Sequence, residues 1–328
     1  MKRRLPSVAA LIRGAVIATI LSIALFSAPV DVGAQTPPPA TPGQPCPQSA
    51  TELIRLYNDG RRDFSQYCAL PRVSLRGVNL RESNFRRIDF VQADLSGSDL
   101  SFGIFESAVL RRTNFAGADL FQVIMGGADL RGANLSNTDL AYSLLPQVDL
   151  RDADLRAASL TEVDLRGAKM QGVRVAGAAF GAANLEGADL TGVDLSGVSL
   201  NFTNLPNVIL NGGSLRQASL IGAVLRLVQL DRVDLSGANL QDADLTAAVA
   251  TRTRLTGTNL GGARLDFTNL SLADLRGVDL TGAALHQVDL RGANLLGVDF
   301  STVTLTEVQT DSTTLCPDAT YGPCVLQY

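Results

Sequence analysis

Large apolar residues recur at every fifth position along most of this chain. The series begins at Leu75, continues through Leu80 and Phe85, and holds a single frame as far as Leu315. A smaller side chain, usually Ala, Val or Thr, stands two positions before nearly every centre, and Asp, Asn or Ser commonly precedes the centre directly. A period of five matches neither the 3.6-residue period of a helix nor the alternation of a simple strand. The backbone must therefore turn within each repeat.

The undiluted form of this pattern is ADLRGANL at 128–135 and AANLEGADL at 182–190. In these segments the chain resembles the pentapeptide-repeat family, whose pattern is A(D/N)LxX. The resemblance implies an all-β fold, a right-handed quadrilateral β-helix in which four pentapeptides make one square coil. The centre and the residue two before it would point inward, and residues 73–315 would form about twelve coils. The centre fails only at Ala250 and Thr310, and Val175 is undersized; the region around Ala250, residues 246–255, is either a kink or a loosened coil.

The N-terminal 34 residues have the features of a secretory signal peptide. A basic start is followed by the apolar stretch 15–30 and by the small-residue cleavage site Val32-Gly33-Ala34, which predicts a mature chain beginning at Gln35. The alternative is an uncleaved anchor, although this stretch is shorter than the roughly 20 residues that span a bilayer. We expect an exported protein, periplasmic or extracellular, with membrane contact only if the signal stays attached.

Elements that cap the solenoid are predicted at both of its ends. Residues 35–48 are rich in proline and predict an extended linker. Within 49–72, the segment 49–57 predicts a short helix with Ser49 or Thr51 as N-cap. Because a solenoid needs covers on its open ends, we interpret this segment as an N-terminal helical cap and 316–328 as a C-terminal cap or tail.

The four cysteines lie outside the repeats, one pair at each end: Cys46, Cys68, Cys316 and Cys324. Exported proteins reach an oxidising compartment, so the simplest hypothesis is two local disulfides that join near neighbours. A shared zinc site is disfavoured, because the spacings do not fit a thiolate cluster and the ends of a rod are far apart.

Composition and candidate chemistry point away from catalysis. The net charge of −4 excludes the strongly basic surface of a nucleic-acid-binding protein. His286 is the single histidine and follows a centre, on the predicted outer surface. No nucleophile has a paired base, and no cluster has metal-ligand spacing. We therefore predict no catalytic residue, metal, cofactor or small-molecule substrate.

Residues 20 apart should stack on consecutive coils, and between about 99 and 151 this stacking produces three strips. The acidic strip is Asp99, Asp119 and Asp139. The apolar strip is Ile104, Ile124 and Leu144, together with the aromatic residues Phe102, Phe121 and Tyr142. The arginine strip, one face further round, is Arg111, Arg131 and Arg151. Nothing comparable is expected later in the chain.

A contiguous outward apolar patch often marks a contact surface. We expect the strips to bind a protein partner or a second copy of the chain, unless the segment 67–72 or the early helix folds over them. The leading hypothesis is a non-catalytic exported scaffold or protein-binding rod. The alternative, implied by resemblance to quinolone-resistance members of the family, is a DNA mimic that binds gyrase. Duplex DNA carries a charge about every 1.7 Å, far denser than this chain, which disfavours that alternative.

Overall fold

The computed structural model describes residues 45–65 and 67–326. The predicted signal peptide, its cleavage site and most of the proline-rich linker lie outside these ranges. The regular elements are one helix, α1 (Ala50–Asn58), and two short parallel strands, β1 (Ala284–His286) and β2 (Thr304–Thr306). Outside these elements, nearly all contacts between successive coils are isolated parallel bridges, and we call each bridging position a rung. Within the described ranges, no helix is long and apolar enough to cross a membrane.

The bridges join residues 20 apart, so four pentapeptides complete one coil. Asn114 bridges Asn134, and Asn134 bridges Asp154, one coil further on. The bridging residue precedes each centre and lies in the middle of a face. We name the four faces by these rung residues: face A contains 99, 119 and 139; face B contains 104, 124 and 144; face C contains 109, 129 and 149; face D contains 114, 134 and 154. Each corner takes the names of the two faces it joins.

The core is a narrow column filled by the centres and the residues two before them. Leu130 and Ala128 are both buried, and the same holds along nearly the whole rod. The two residues after each centre form the corner turn, and the second of them has a positive φ, as in Gly97 (66°) and Asn137 (57°). Glycine adopts this conformation without steric cost, which explains its frequency at that position.

The rung residue explains the frequent Asp and Asn before the centre. The side-chain oxygen of Asp94 accepts a hydrogen bond from the backbone N–H of Ser96 at 3.1 Å, and Asn134 does the same for Ser136. Asp and Asn stabilise turns through this contact. The acidic residues of the repeats therefore have a structural role at most positions.

Helix α1 begins at the N-cap Ser49, in a variant of the capping box. Ser49 Oγ accepts a hydrogen bond from the N–H of Glu52, while the Glu52 carboxylate accepts one from the N–H of Gln48. Leu53 is fully buried, and the Tyr57 hydroxyl donates to Asn79 and to the carbonyl of Arg81. The helix therefore packs at the N-terminal end of face A.

Both ends of the rod depart from the predicted frame by one residue. Asp63 bridges Asn84 and Asn294 bridges Leu315, each pair being 21 apart. The solenoid thus begins before residue 73. The prediction of Leu315 as the last inward centre is wrong: Thr314 is buried instead, because its hydroxyl is held by the N–H groups of Asp311 and Gly292. Both predicted disulfides are present, and they join the residues Cys46 to Cys68 and Cys316 to Cys324.

The undersized centres behave differently from one another. The coil that contains Ala250 keeps its register, because Val249 bridges both Gln229 and Asn269. Beside Val175, by contrast, the expected bridge between Arg174 and Asp194 is missing from the described rungs. The coil number of about twelve stays a prediction.

Candidate functional site

The apolar strip forms a continuous outward surface over three coils. Ile104 bridges Ile124, and Ile124 bridges Leu144, in the middle of face B. On the adjoining AB corner, Phe121 lies between Phe102 and Tyr142, with ring centroids 5.7 Å apart on each side. Both pairs meet edge to face, the arrangement that aromatic rings favour. The strip predicted from stacking is therefore a real aromatic and aliphatic surface.

The strip is most exposed at its last coil, whereas Phe102, Ile104, Phe121 and Ile124 are half-buried. Tyr142 is 46% exposed and Leu144 47% exposed. The predicted alternative, that the segment 67–72 or the early helix covers the strip, is wrong. Ala69 bridges Asp89 on face C, and the hydrogen bonds of Tyr57 from α1 go to Asn79 and Arg81, in the coil before the strip.

The apolar rung residues of face B lack the side-chain hydrogen bond that Asp or Asn makes to the corner turn at other rungs. Ile104 and Ile124 have no side-chain oxygen for the N–H groups of Glu106 and Gly126, and these N–H groups have no acceptor among the described residues. Leu144 precedes Pro146 in the same arrangement, and proline has no N–H to donate. Local rules that are broken without a structural gain are typical of functional surfaces.

Two aromatic residues of the strip also occupy strained backbone positions. Phe102 and Tyr142 have φ values of 60° and 59°, at the corner position where glycine is favoured. The guanidinium of Arg81 covers one end, 4.4 Å from the Phe102 ring centroid. Non-glycine residues adopt the same φ at corners all along the rod, so the value belongs to the coil turn and does not single out the strip.

The acidic strip is confirmed as a stack, since Asp119 bridges both Asp99 and Asp139. Each carboxylate accepts the N–H of the corner residue two positions later. No arginine lies within 4 Å of these carboxylates in the part of the chain that the structure describes. The strip flanks the aromatic corner and keeps its negative charge.

The arginine strip is largely neutralised, which sequence reasoning missed. Arg131 contacts Asp129 at 2.7 Å and Arg151 contacts Asp149 at 2.5 Å, while Arg111 lies 3.7 Å from Asp129. Hydrogen bonds from Arg131 and Arg151 hold the pKa values of the two carboxyls below their ordinary range. The strip also lies at the CD corner, beyond face C, and does not adjoin the apolar strip.

Sequence reasoning also missed a second apolar cluster on the same side of the rod. It consists of Phe202, Ile221, Val224 and Leu227. Phe202 is 43% exposed and Leu227 53% exposed. Phe202 donates its N–H to the carbonyl of Ile221, as Phe102 does to Phe121. The expectation that nothing comparable follows residue 151 is therefore wrong, and the 20-residue stacking of outward positions was the signal that could have found it.

The remaining candidates offer little chemistry. His286 packs edge to face on Phe267 at the BC corner, with centroids 5.3 Å apart. No group of three or more His, Cys, Asp or Glu side chains within residues 45–65 and 67–326 is arranged to hold a metal ion.

The repeats match a known family model. The model for pentapeptide repeats matches in eight copies, over more than half of the chain. These copies fall in seven segments, some of which overlap: 74–112, 105–137, 133–172, 176–212, 214–246, 229–266 and 268–306. No curated protein matches the chain significantly in sequence.

Several solved structures are similar to this chain. HetL, a pentapeptide repeat protein involved in heterocyst differentiation regulation in the cyanobacterium Nostoc, is 26% identical, with a TM-score of 0.30, over 84% of this chain and 100% of HetL. QnrB1, a plasmid-mediated fluoroquinolone resistance protein, is 19% identical, with a TM-score of 0.25, over 62% of this chain and 86% of QnrB1. A pentapeptide repeat protein from the Arabidopsis thaliana thylakoid lumen is 32% identical, with a TM-score of 0.15, over 36% of this chain and 69% of its own.

Proposed function

This chain belongs to the pentapeptide-repeat family, and we propose that it is an exported, non-catalytic rod that binds protein through the apolar strip. Members of this family fold as right-handed quadrilateral β-helices and are generally structural or binding proteins. The observation that carries the proposal is the outward-facing stack of Ile104, Ile124 and Leu144 beside the aromatic corner. An exposed contiguous apolar surface of this kind is stabilised when a partner removes it from water.

Export is supported by the cysteines and by the N-terminal pattern. Both cysteine pairs form disulfides, and disulfides persist mainly in oxidising compartments. Lys2, Arg3 and Arg4 precede the apolar stretch 15–30, as in a secretory signal.

A gyrase-binding DNA mimic is the second candidate. The unpaired carboxylates of Asp99, Asp119 and Asp139 favour it. The Asp–Arg pairs on faces C and D oppose it, because they cancel negative charge where a DNA mimic needs a continuous acidic surface. The exported binding rod is favoured because it explains both the apolar strip and the neutralised arginine strip.

Site-specific photocrosslinking in the producing cells tests the proposal. A photoreactive benzoylphenylalanine replaces Gln122, which lies on the aromatic corner between Phe102 and Tyr142. The matched control is Gln217, which occupies the same turn position on the DA corner with a similar φ of 55°. We expect a discrete protein adduct from position 122 and none from position 217.

Mass spectrometry of the adduct then identifies the partner and the N-terminus of the chain. An N-terminus at Gln35 supports export, and an adduct with gyrase favours the second candidate. The absence of an adduct at position 122, or equal adducts at both positions, overturns the binding surface.

A further inference from the structure

The apolar strip and the second apolar cluster share face B and its corners, separated by a polar segment. The rung residues between them are Asp164, Asn184 and Asn204. On the BC corner beside them stand Arg166 and Glu186, one coil apart. Arg166 is held by Asp164 at 2.7 Å, whereas Glu186 is exposed and has no ion-pair partner in the described part of the chain. Along the rod, face B is therefore first apolar, then polar and charged, and then apolar again.

The central part of this layout is symmetric about a two-fold axis that lies across face B, in its plane and perpendicular to the rod, between the rungs of Asp164 and Asn184. If a second copy faces the first and runs in the opposite direction, residues on the same column oppose one another. The opposed pairs are Tyr142 and Phe202, Phe121 and Ile221, Ile124 and Val224, Pro146 and Pro206, and Arg166 and Glu186. The midpoint of each pair falls between residues 171 and 176, within one coil. A single two-fold axis therefore relates the residues of each of these pairs.

Side-chain sizes also match across this axis. Leu227 projects from the BC corner and would oppose Gly127 of the second copy. The space that a Cβ would take at Gly127 is open, with only the Ser107 hydroxyl as near as 3.9 Å. A large exposed side chain thus faces a position that has none, which is the complementarity that packed interfaces require.

Other pairings of two copies fit less well. A two-fold axis through Ile124 itself also matches the apolar strip with its own copy. It opposes Arg86 to Arg166, however, and leaves the exposed Phe202 and Leu227 in water. Parallel copies would oppose face A to face C. The axis between Asp164 and Asn184 is the one of these that covers both apolar regions and opposes opposite charges. It also places the outer strip residues Phe102, Ile104 and Leu144 opposite Asp242, Asp244 and Asn204, so the apolar contact is confined to Phe121, Ile124 and Tyr142.

We propose that the chain forms an antiparallel homodimer through face B, with Arg166 of each copy paired to Glu186 of the other. This inference rests on the proposed function and names the partner as a second copy. At about 4.8 Å per coil, the segment from Phe102 to Asp244 is roughly 34 Å long. A face about 15 Å wide with its corners would bury roughly 1,000 Å² in total, the lower end for a specific interface. The dimer should therefore depend on concentration.

Charge reversal tests the geometry of the pair. Each single variant, Arg166→Glu or Glu186→Arg, opposes like charges at both contacts and should weaken dimerisation by about ten-fold or more. In an equimolar mixture of the two variants, each contact again joins opposite charges, so the mixture should dimerise as heterodimers. The double variant should dimerise with itself. Sedimentation equilibrium of oxidised protein over a range of concentrations measures all four samples.

The matched control is Arg276→Glu at the DA corner. Arg276 is paired to Asp274 as Arg166 is to Asp164, and the two arginine side chains are equally exposed, at 54% and 55%. This control should leave the dimer unchanged, and thermal melts check that every variant folds. A monomeric wild-type chain, single variants that dimerise normally, or a mixture that stays monomeric would each overturn the homodimer. An adduct of position 122 with a different protein would overturn it while leaving the binding rod intact.

Discussion

Face B and face C have the same backbone structure, but their outward side chains have different roles. On face C, Asp129 and Asp149 accept N–H groups of their own corner turns and pair with the arginines of the CD corner. On face B of the same coils, Ile124 and Leu144 make neither contact. The rung position is solvent-facing in both cases and the ladder bonds are equivalent. The fold therefore does not constrain which side chains point outward, so one face can stabilise the rod while another is available for binding.

The largest expected effect separates inward from outward leucines. Leu145 is fully buried, whereas its neighbour Leu144 is 47% exposed on face B. Leu145→Ala should lower the free energy of unfolding by about 2–5 kcal/mol, because it leaves a cavity in the core column. Leu144→Ala should change it by less than about 0.5 kcal/mol, as for other surface substitutions. Chemical denaturation of both variants measures the contrast, and equal losses would mean that face B is internal packing.

A smaller effect concerns the hydrogen bonds that face B lacks. In Ile124→Asn the new amide oxygen can accept the N–H of Gly126, as Asn134 accepts that of Ser136. Leu144→Asn gains nothing similar because Pro146 has no N–H. We expect Ile124→Asn to be the more stable of the two by about 0.5–1.5 kcal/mol, measured by denaturation.

The matched variant for that experiment is Val249→Asn, an apolar rung on face C beside Thr251. It should gain the same turn hydrogen bond as Ile124→Asn and leave association unchanged, whereas Ile124→Asn should abolish association. If Val249→Asn impaired association as strongly, the contrast between the faces would be lost.

The smallest expected effect is a response to acid, to which Asp129 and Asp149 of face C contribute and the apolar rung residues of face B do not. The folded-state pKa values of Asp129 and Asp149 are lowered, so their contribution to stability is present above the ordinary pKa of about 3.9 and is lost as pH falls through the folded value. Thermal melts between pH 6 and roughly pH 3 should show this loss. Asp129→Asn should reduce the pH dependence, while Ile124→Asn should retain the wild-type dependence.

Much of the fold was predictable because a five-residue period constrains every coil in the same way. The stacked strips followed from residues 20 apart, and the disulfide partners followed from their separation along the chain. The end coils were not predictable, since the 21-residue offsets at Asp63 and Leu315 arise where the chain leaves the repeat. At Thr314 it is hydroxyl bonds to Asp311 and Gly292 that decide the inward position.

The sequence by itself determined which residues share a column, and hence the existence of the apolar strip. Only the tertiary structure decided how the columns interact. It showed that Asp129 and Asp149 neutralise the arginine strip and that the three aromatic rings meet edge to face. The reason is physical: the repeat sets backbone positions along one face, whereas ion pairs, ring contacts and exposure depend on how far side chains reach across corners and between coils.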